Sequence, residues 1–241
     1  MKPLIGLSLA LLFSAQATAA LEARAVVKSL DRAILSGELA AKVIALPKRA
    51  GERFRKGDLL VGLNCDLYEA QAEKVGAENK VAEIKLKNAQ QLNELASIGA
   101  LDVALAQSEF EQTRAELKIA RLNTKRCSIR APYSGRVVSL LVNRHENIRQ
   151  QQELIEIVAD KRLEAELVVP AVWMKWLRAG MNLRMKIDET GGELKASVVA
   201  INPAIDPVSQ TLTLRARFAS SDSLIPGMSA TAFFDAPSET E

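Results

Sequence analysis

A short β motif occurs twice in this chain, and a long helical segment is pushed between the two copies. Ser36-Gly37 leads into Gly51 to Leu60, and Ser134-Gly135 leads into His145 to Ile155, so that Glu52, Phe54, Arg55 and Leu60 recur as Glu146, Ile148, Arg149 and Leu154. Two similar small β units imply one pseudo-symmetric sandwich. Residues 66–126 between them are rich in Ala, Glu, Gln, Lys and Leu and contain no proline, which is the composition of long helices.

From Asp66 the apolar period changes from two to about three and a half. In the first helix Leu67, Ala70, Ala77, Val81, Ile84, Leu95 and Ile98 fall on alternating three and four spacings, interrupted by Lys74, Asn88 and Gln91. In the second, Val103, Ala106, Phe110, Thr113, Leu117, Ala120 and Thr124 keep the pattern without a break, as in a coiled coil. Ser97 to Ala100 supplies the reversal, with Gly99 available for a positive-φ helix end. The segment therefore predicts an antiparallel hairpin whose arms reach roughly 35 to 45 Å. The plainer alternative is a two-helix pair lying on the domain, but small seam residues suit close mutual packing and leave no broad third face for a core.

Cys65 and Cys127 are the two cysteines of the chain and stand at the two feet of this hairpin. Antiparallel helices bring them to the same end, so a Cys65–Cys127 disulfide is a candidate in a compartment that tolerates one. The alternative is two separate small apolar residues, since helix feet roughly 8 to 10 Å apart can miss disulfide geometry.

The β segments frame the hairpin. A strand over Ala23 to Leu35 enters the first unit, and residues 20–65 and 127–159 together form the predicted sandwich. After Asp160 the strands lengthen and alternate: Leu163 to Val169, Leu183 to Ile187, Leu194 to Ile201, Thr211 to Phe218 and Ser229 to Phe234. With one short helix at Ala171 to Arg178 and turns at Gly180, Gly191-Gly192, Asn202-Pro203, Asp206-Pro207 and Pro226-Gly227, residues 160–236 predict a small β-barrel, followed by a tail, 237–241. The fold class is thus α+β and elongated: an interrupted sandwich, its hairpin, and a barrel.

Other features bound the function. Lys2, the apolar run Leu4 to Phe13 and Ala17-Thr18-Ala19 read as a signal peptide, residues 1–19, cleaved after Ala19; the run is about half the length of a membrane span. No later segment is long and apolar enough to cross, so the mature protein is expected to be exported. With 32 basic against 29 acidic residues, a formal charge of +3 and 4% aromatics, the chain lacks the basic face or stacking platform of a nucleic-acid binder. His145 is the single histidine and sits at a predicted turn, so neither a His dyad nor a His-rich metal cluster can be built. Met174, Met181 and Met185 could be soft metal ligands, but their spacing fits barrel packing beside Trp173 and Trp176. No cofactor, metal or catalytic residue is expected.

Several of these segments together resemble the periplasmic adaptor subunits, or membrane fusion proteins, of tripartite efflux and secretion systems. The likeness is carried by Gly51 to Leu63, Cys127 to Val137, Val158 to Pro170, Ile201 to Asp206 with Thr211 to Arg215, and Pro226-Gly227-Met228. It implies a lipoyl-like sandwich interrupted by a hairpin and followed by a barrel, assembled as a ring of three to six copies. In such rings the hairpins meet an outer-membrane channel and the barrels face an inner-membrane transporter, with the protein in the periplasm, peripheral to the inner membrane. In drug-efflux adaptors an Arg, a Leu and a Ser mark the hairpin tip; aligned on Gly99-Ala100-Leu101, these positions are Gln91, Leu95 and Asp102 here, and the leucine alone is kept. Asp102 has a second reading as the cap of the second helix. The barrel contacts implied for the transporter are Trp173, Trp176 and Asp206. Many members continue past the last strand into a membrane-proximal domain, and this chain is expected to be a short form lacking it.

Two other functions compete. A lipoylated or biotinylated carrier needs its lysine at a turn between the half motifs, where this chain has its hairpin; Asp160-Lys161 resembles the lipoyl dipeptide but follows the second half. An adaptor of a type I-like protein secretion system, or a self-assembling scaffold, would share the same architecture. Export of small molecules is the expected role.

Overall fold

The computed structural model describes residues 21–220 and 223–235; the leader and the tail lie outside these. Fourteen strands and two helices occur among them. They are β1 (Leu21–Ser29), β2 (Arg32–Ser36), β3 (Ala41–Ala45), β4 (Arg53–Phe54), β5 (Leu59–Leu63), α1 (Asp66–Glu94) and α2 (Ala100–Arg126). Then follow β6 (Ser128–Arg130), β7 (Gly135–Leu140), β8 (Asn147–Ile148), β9 (Glu153–Ala159), β10 (Leu163–Pro170), β11 (Asn182–Ile187), β12 (Glu193–Asp206), β13 (Thr211–Phe218) and β14 (Ser229–Phe234). The chain divides into two units, one running from Ser29 to Arg162 and the other joining the N-terminal strand to the chain from Leu163.

The first unit holds the sandwich and hairpin. Two four-stranded sheets, in the orders β2-β9-β7-β4 and β6-β5-β3-β8, close over Val43, Phe54, Leu60, Val61, Ile148, Leu154, Ile155 and Ile157. Each fully buried aliphatic side chain here is worth about 1.5–3 kcal/mol relative to exposure.

The sequence repeat is written into the hydrogen bonds. The Arg49 amide donates to the Glu52 carboxylate and the Asn143 amide to that of Glu146; likewise Arg55 donates to Asp58 and Arg149 to Gln152. Across the sandwich Val43 donates to the Glu146 carbonyl and Val137 to that of Glu52, while Gly57 donates to Ala131 and Gln151 to Gly37. Each half thus supplies the partners of the other, as a pseudo-twofold requires. The positive φ of Gly51 (85°) and Gly57 (90°) is copied at His145 (73°) and Gln151 (63°), so the turn geometry persists where glycine does not.

The second unit is a closed barrel in the order β1-β10-β13-β12-β11-β14. Alternate residues point inward: Ala165, Leu167 and Val169 of β10, Leu212, Leu214 and Ala216 of β13, Leu183, Met185 and Ile187 of β11. Ala23 and Ala25 of β1 stand opposite Ala232 and Ala230 of β14, small residues that let a six-stranded barrel close around larger ones. Glu164 is buried yet clamped by Arg215 and Arg217, each at 3.3 Å.

The strand expected over Ala23 to Leu35 is two strands in two units. β1 pairs with β14 in the barrel and β2 with β9 in the sandwich, so residues 21–28 leave the sandwich range of 20–65, and the later boundary falls at Arg162 instead of 159. Both stretches alternate apolar and polar residues, and only pairing distinguishes them. The short helix is a 3₁₀ turn, Ala171–Lys175, and β12 runs on to Asp206 past two register shifts.

Candidate partner-binding surfaces

The hairpin is held by small and medium side chains. In α2 the predicted seam is the packed one, with Leu117 and Ala120 buried and Val103, Ala106, Phe110, Thr113 and Thr124 half-buried. In α1 the predicted seam faces outward. Ala72, Val75, Asn79, Ala82, Leu86 and Ala89 turn towards α2, whereas Leu67, Val81 and Ile84 are more than half exposed. The inner face of α1 is built from smaller residues because the helices pack closely, and Asn79 crosses the seam to donate to the Thr113 hydroxyl at 3.0 Å. Lys85 and Glu109 pair at 2.8 Å on the hairpin's flank.

At the tip the reversal uses Ala96, not Gly99, in the left-handed region (φ 54°). The Ser97 amide donates to the Leu92 carbonyl and the Ala96 amide to that of Asn93, a Schellman pair that satisfies the orphan carbonyls of α1. Gly99, at φ −87° and ψ 163°, is instead the extended N-cap of α2. Asp102 accepts the Gly99 amide at 3.1 Å, the reciprocal half of a capping box. Of the three tip residues, Leu95 is 74% exposed, Gln91 is exposed one turn below it, and Asp102 is engaged in the cap. Leu101, 71% exposed, joins Leu95 as an apolar tip residue that the sequence reading did not single out.

At the root Cys65 and Cys127 are bonded, their Cα atoms 5.8 Å apart. The feet lie closer than a usual interhelical distance because each helix emerges from an adjacent strand: Leu63 of β5 donates to the Cys127 carbonyl, and β5 pairs with β6.

In the barrel Trp173 is 8% exposed. Its ring lies 5.3 Å from those of Trp176 and Phe234, which corrects its reading as a contact side chain: an indole of this size is most stable where it covers the core, and Trp176 forms the half-buried outer layer. Met185 is fully buried, and Met181 is half-buried against the same barrel core. Asp206 is exposed at the tip of the β12–β13 hairpin, where its carboxylate accepts the amides of Val208 and Ser209, both at 2.9 Å. Those backbone bonds to the ionised form hold its pKa below the ordinary 3.8. The turn thereby presents Val208, 93% exposed, beside half-exposed Ile205. Residues 202–210 are exposed throughout.

Residues 164–238 match the family model described as the CusB-like, beta-barrel domain. Nodulation protein NolF of Rhizobium meliloti (strain 1021) is 24% identical over 198 residues, covering 76% of this chain and 54% of NolF. The nickel-cobalt-cadmium resistance protein NccB of Alcaligenes xylosoxydans xylosoxydans is 22% identical over 200 residues, 76% of this chain and 49% of NccB. The chain thus spans about half the length of the curated relatives it matches. Among solved structures, the membrane fusion protein Spr0693 from Streptococcus pneumoniae R6 superposes with a TM-score of 0.74 at 13% identity, covering 90% of this chain and all (100%) of that one. Over 90% of its length the chain shares the fold of that solved membrane fusion protein, and its residues 164–238 are those that match the CusB-like barrel domain.

The lipoyl-like sandwich, hairpin and barrel of a membrane fusion protein are all present here. The chain leaves exposed a hairpin tip with Leu95 and Leu101, and a barrel hairpin with Ile205 and Val208. Val208 follows Asp206-Pro207 directly in the sequence, so the turn signal was visible; how far that turn projects was not. No helix among the described residues is long and apolar enough to cross a membrane.

Proposed function

We propose that the chain is a periplasmic adaptor, peripheral to the inner membrane, which links an inner-membrane transporter to an outer-membrane channel for export of small molecules. It acts by assembly and carries out no bond chemistry. The observation that carries this reading is the hairpin: two helices of 29 and 27 residues, roughly 40 Å long, closed at the root by a disulfide and ending in exposed Leu95 and Leu101. An apolar tip at the end of a long arm costs solubility unless a partner covers it. The tip, with Gln91 and Leu95, is assigned to the outer partner. Trp176 and the Asp206 turn, with Val208, are assigned to the inner one.

The experiment is complementation of a deletion strain with Leu95→Arg. Asp102 is left in place because its loss would fray α2. Transport should fall to the deletion level while the purified variant keeps the wild-type helical signal and melting temperature; undiminished transport would remove the tip from the mechanism.

A further inference from the structure

The sandwich is open along one side. β2 is the last strand of one sheet and β6 the last of the other, and a groove runs between these two edges, lined by Ile34, Leu35 and Ser36 from β2 and by Ser128, Ile129 and Arg130 from β6. The backbone of β2 is unpaired on this side. The Asp31 carbonyl and both backbone groups of Gly37 bond towards β9 and the turn before it. Successive strand residues direct their amides and carbonyls to opposite edges, so those of Ile34 and Ser36 turn into the groove, where no backbone group among the described residues meets them. Free edges are normally blunted by a lysine, a proline or an inward charge. β2 reads Arg32-Ala33-Ile34-Leu35-Ser36; its one charge is held by Glu156, and Ile34 is 48% exposed.

The rest of the lining is basic and apolar. Lys125 and Arg130 are exposed, and neither has a carboxylate partner among the described residues; Arg130 bonds the Gly57 carbonyl. Glu38, the acidic residue of the groove, is already paired with Arg126 at 2.7 Å. Leu122, at the foot of α2, lies half in water beside them. Leu122 and Lys125 also line a second groove along the flank of α2, so the two run on into one track, where Arg114, Lys118 and Arg121 continue the series of exposed cations without carboxylate partners.

We infer that the groove is a β-augmentation site, which takes an extended segment of a partner protein, bearing acidic and apolar side chains, as a strand added to β2. The choice of occupant follows from what the lining needs. A small molecule is held by burying most of its surface, and this track lies open along its length. A simple polyanion would satisfy the cations but has no donors for the carbonyls of Ile34 and Ser36. An extended polypeptide donates and accepts along the edge, places carboxylates on Lys125 and Arg130, and covers Ile34 and Leu122 with apolar side chains. The site goes beyond the adaptor reading and uses neither the hairpin tip nor the barrel turn, so each can fail while the other stands.

The test uses the full mature chain and a fluorescent, end-capped peptide of repeated Glu-Glu-Val-Val, a pattern that puts glutamate and valine on both faces of a strand. Binding is followed by anisotropy. N-methylation of alternate peptide amides should weaken it by roughly tenfold or more in one phase, the one that faces β2, and little in the other. Lys125→Glu with Arg130→Glu should weaken it by a similar factor, since like charges then face each other. Ile34→Pro removes a donor that β9 does not use, and should cost the same in binding while the melting temperature stays near that of the wild type. Bound peptide should also slow amide exchange at Ile34 and Ser36. Absence of saturable binding would overturn the proposal, as would protection confined to other strands. Equal binding of polyglutamate, or indifference to both phases of methylation, would make the track a general polyanion site instead. Peptide binding that fades as chain concentration rises would give the groove to a second copy.

Discussion

Ala96 occupies a conformation that glycine usually fills. An L-residue in the left-handed region costs about 1–2 kcal/mol, and glycine recovers most of that less the extra chain entropy it surrenders, so Ala96→Gly should raise stability by about 0.5–1 kcal/mol. A chemical denaturation midpoint measures it, and a lower midpoint would deny the Schellman assignment. Gly135 is the opposite case. A Cβ there would lie 2.1 Å from the Val158 carbonyl oxygen, so Gly135→Ala must push β7 from β9 and should cost about 1–3 kcal/mol or more. At Asp206 the lowered pKa fixes the sign of a pH effect. The folded form binds its proton less readily than the unfolded chain, so the carboxylate's contribution to the turn is present above the ordinary carboxylate range and is lost as pH falls through the depressed folded value. The protection of the Val208 and Ser209 amides, taken relative to their intrinsic exchange rates at each pH, should fall in acid, and in Asp206→Ala it should be low at every pH; protection in the wild type that does not change with acid would contradict the bonds described.

At the scale of elements, the disulfide closes a loop spanning a sequence separation of 62, for which chain-entropy reasoning gives about 4 kcal/mol and measured bridges typically about 2–4. Replacing Cys65 and Cys127 together by serine should lower stability by that amount while leaving the helical content of the hairpin unchanged, and an equal melting temperature would show the bridge to be idle. Element by element, the sequence was informative where one physical rule decides. The half motifs, the hairpin limits and the α2 seam were legible because turn chemistry and an unbroken three-four period point the same way. The α1 seam was not, since Val81 and Ile84 are larger and more apolar than Ala72, Ala82 and Ala89, and a rule that puts the greasier face inside chooses wrongly when two helices pack through small residues. The membership of β1 in the barrel was equally hidden, because its alternation satisfies either partner. Leu95 was legible through a family resemblance, whereas Leu101 and Val208 needed exposure to be seen, and Trp173 needed its ring contacts to be recognised as core.

For the whole molecule, the division of labour follows from what each part can bury. The sandwich and barrel satisfy themselves, with large aliphatic cores and paired strands, while the hairpin leaves Leu95, Leu101, Val81 and Ile84 in water. Surfaces that stay apolar in an otherwise well-packed chain are where an adaptor would be completed by other chains. The measurement that bears most directly on this is in-cell photocrosslinking from a reactive residue at Leu95 and another at Val208, with identification of what each captures. The account predicts an outer-membrane channel at the first position and a multi-span inner-membrane transporter at the second; capture of further copies of this chain alone at both positions would contradict it.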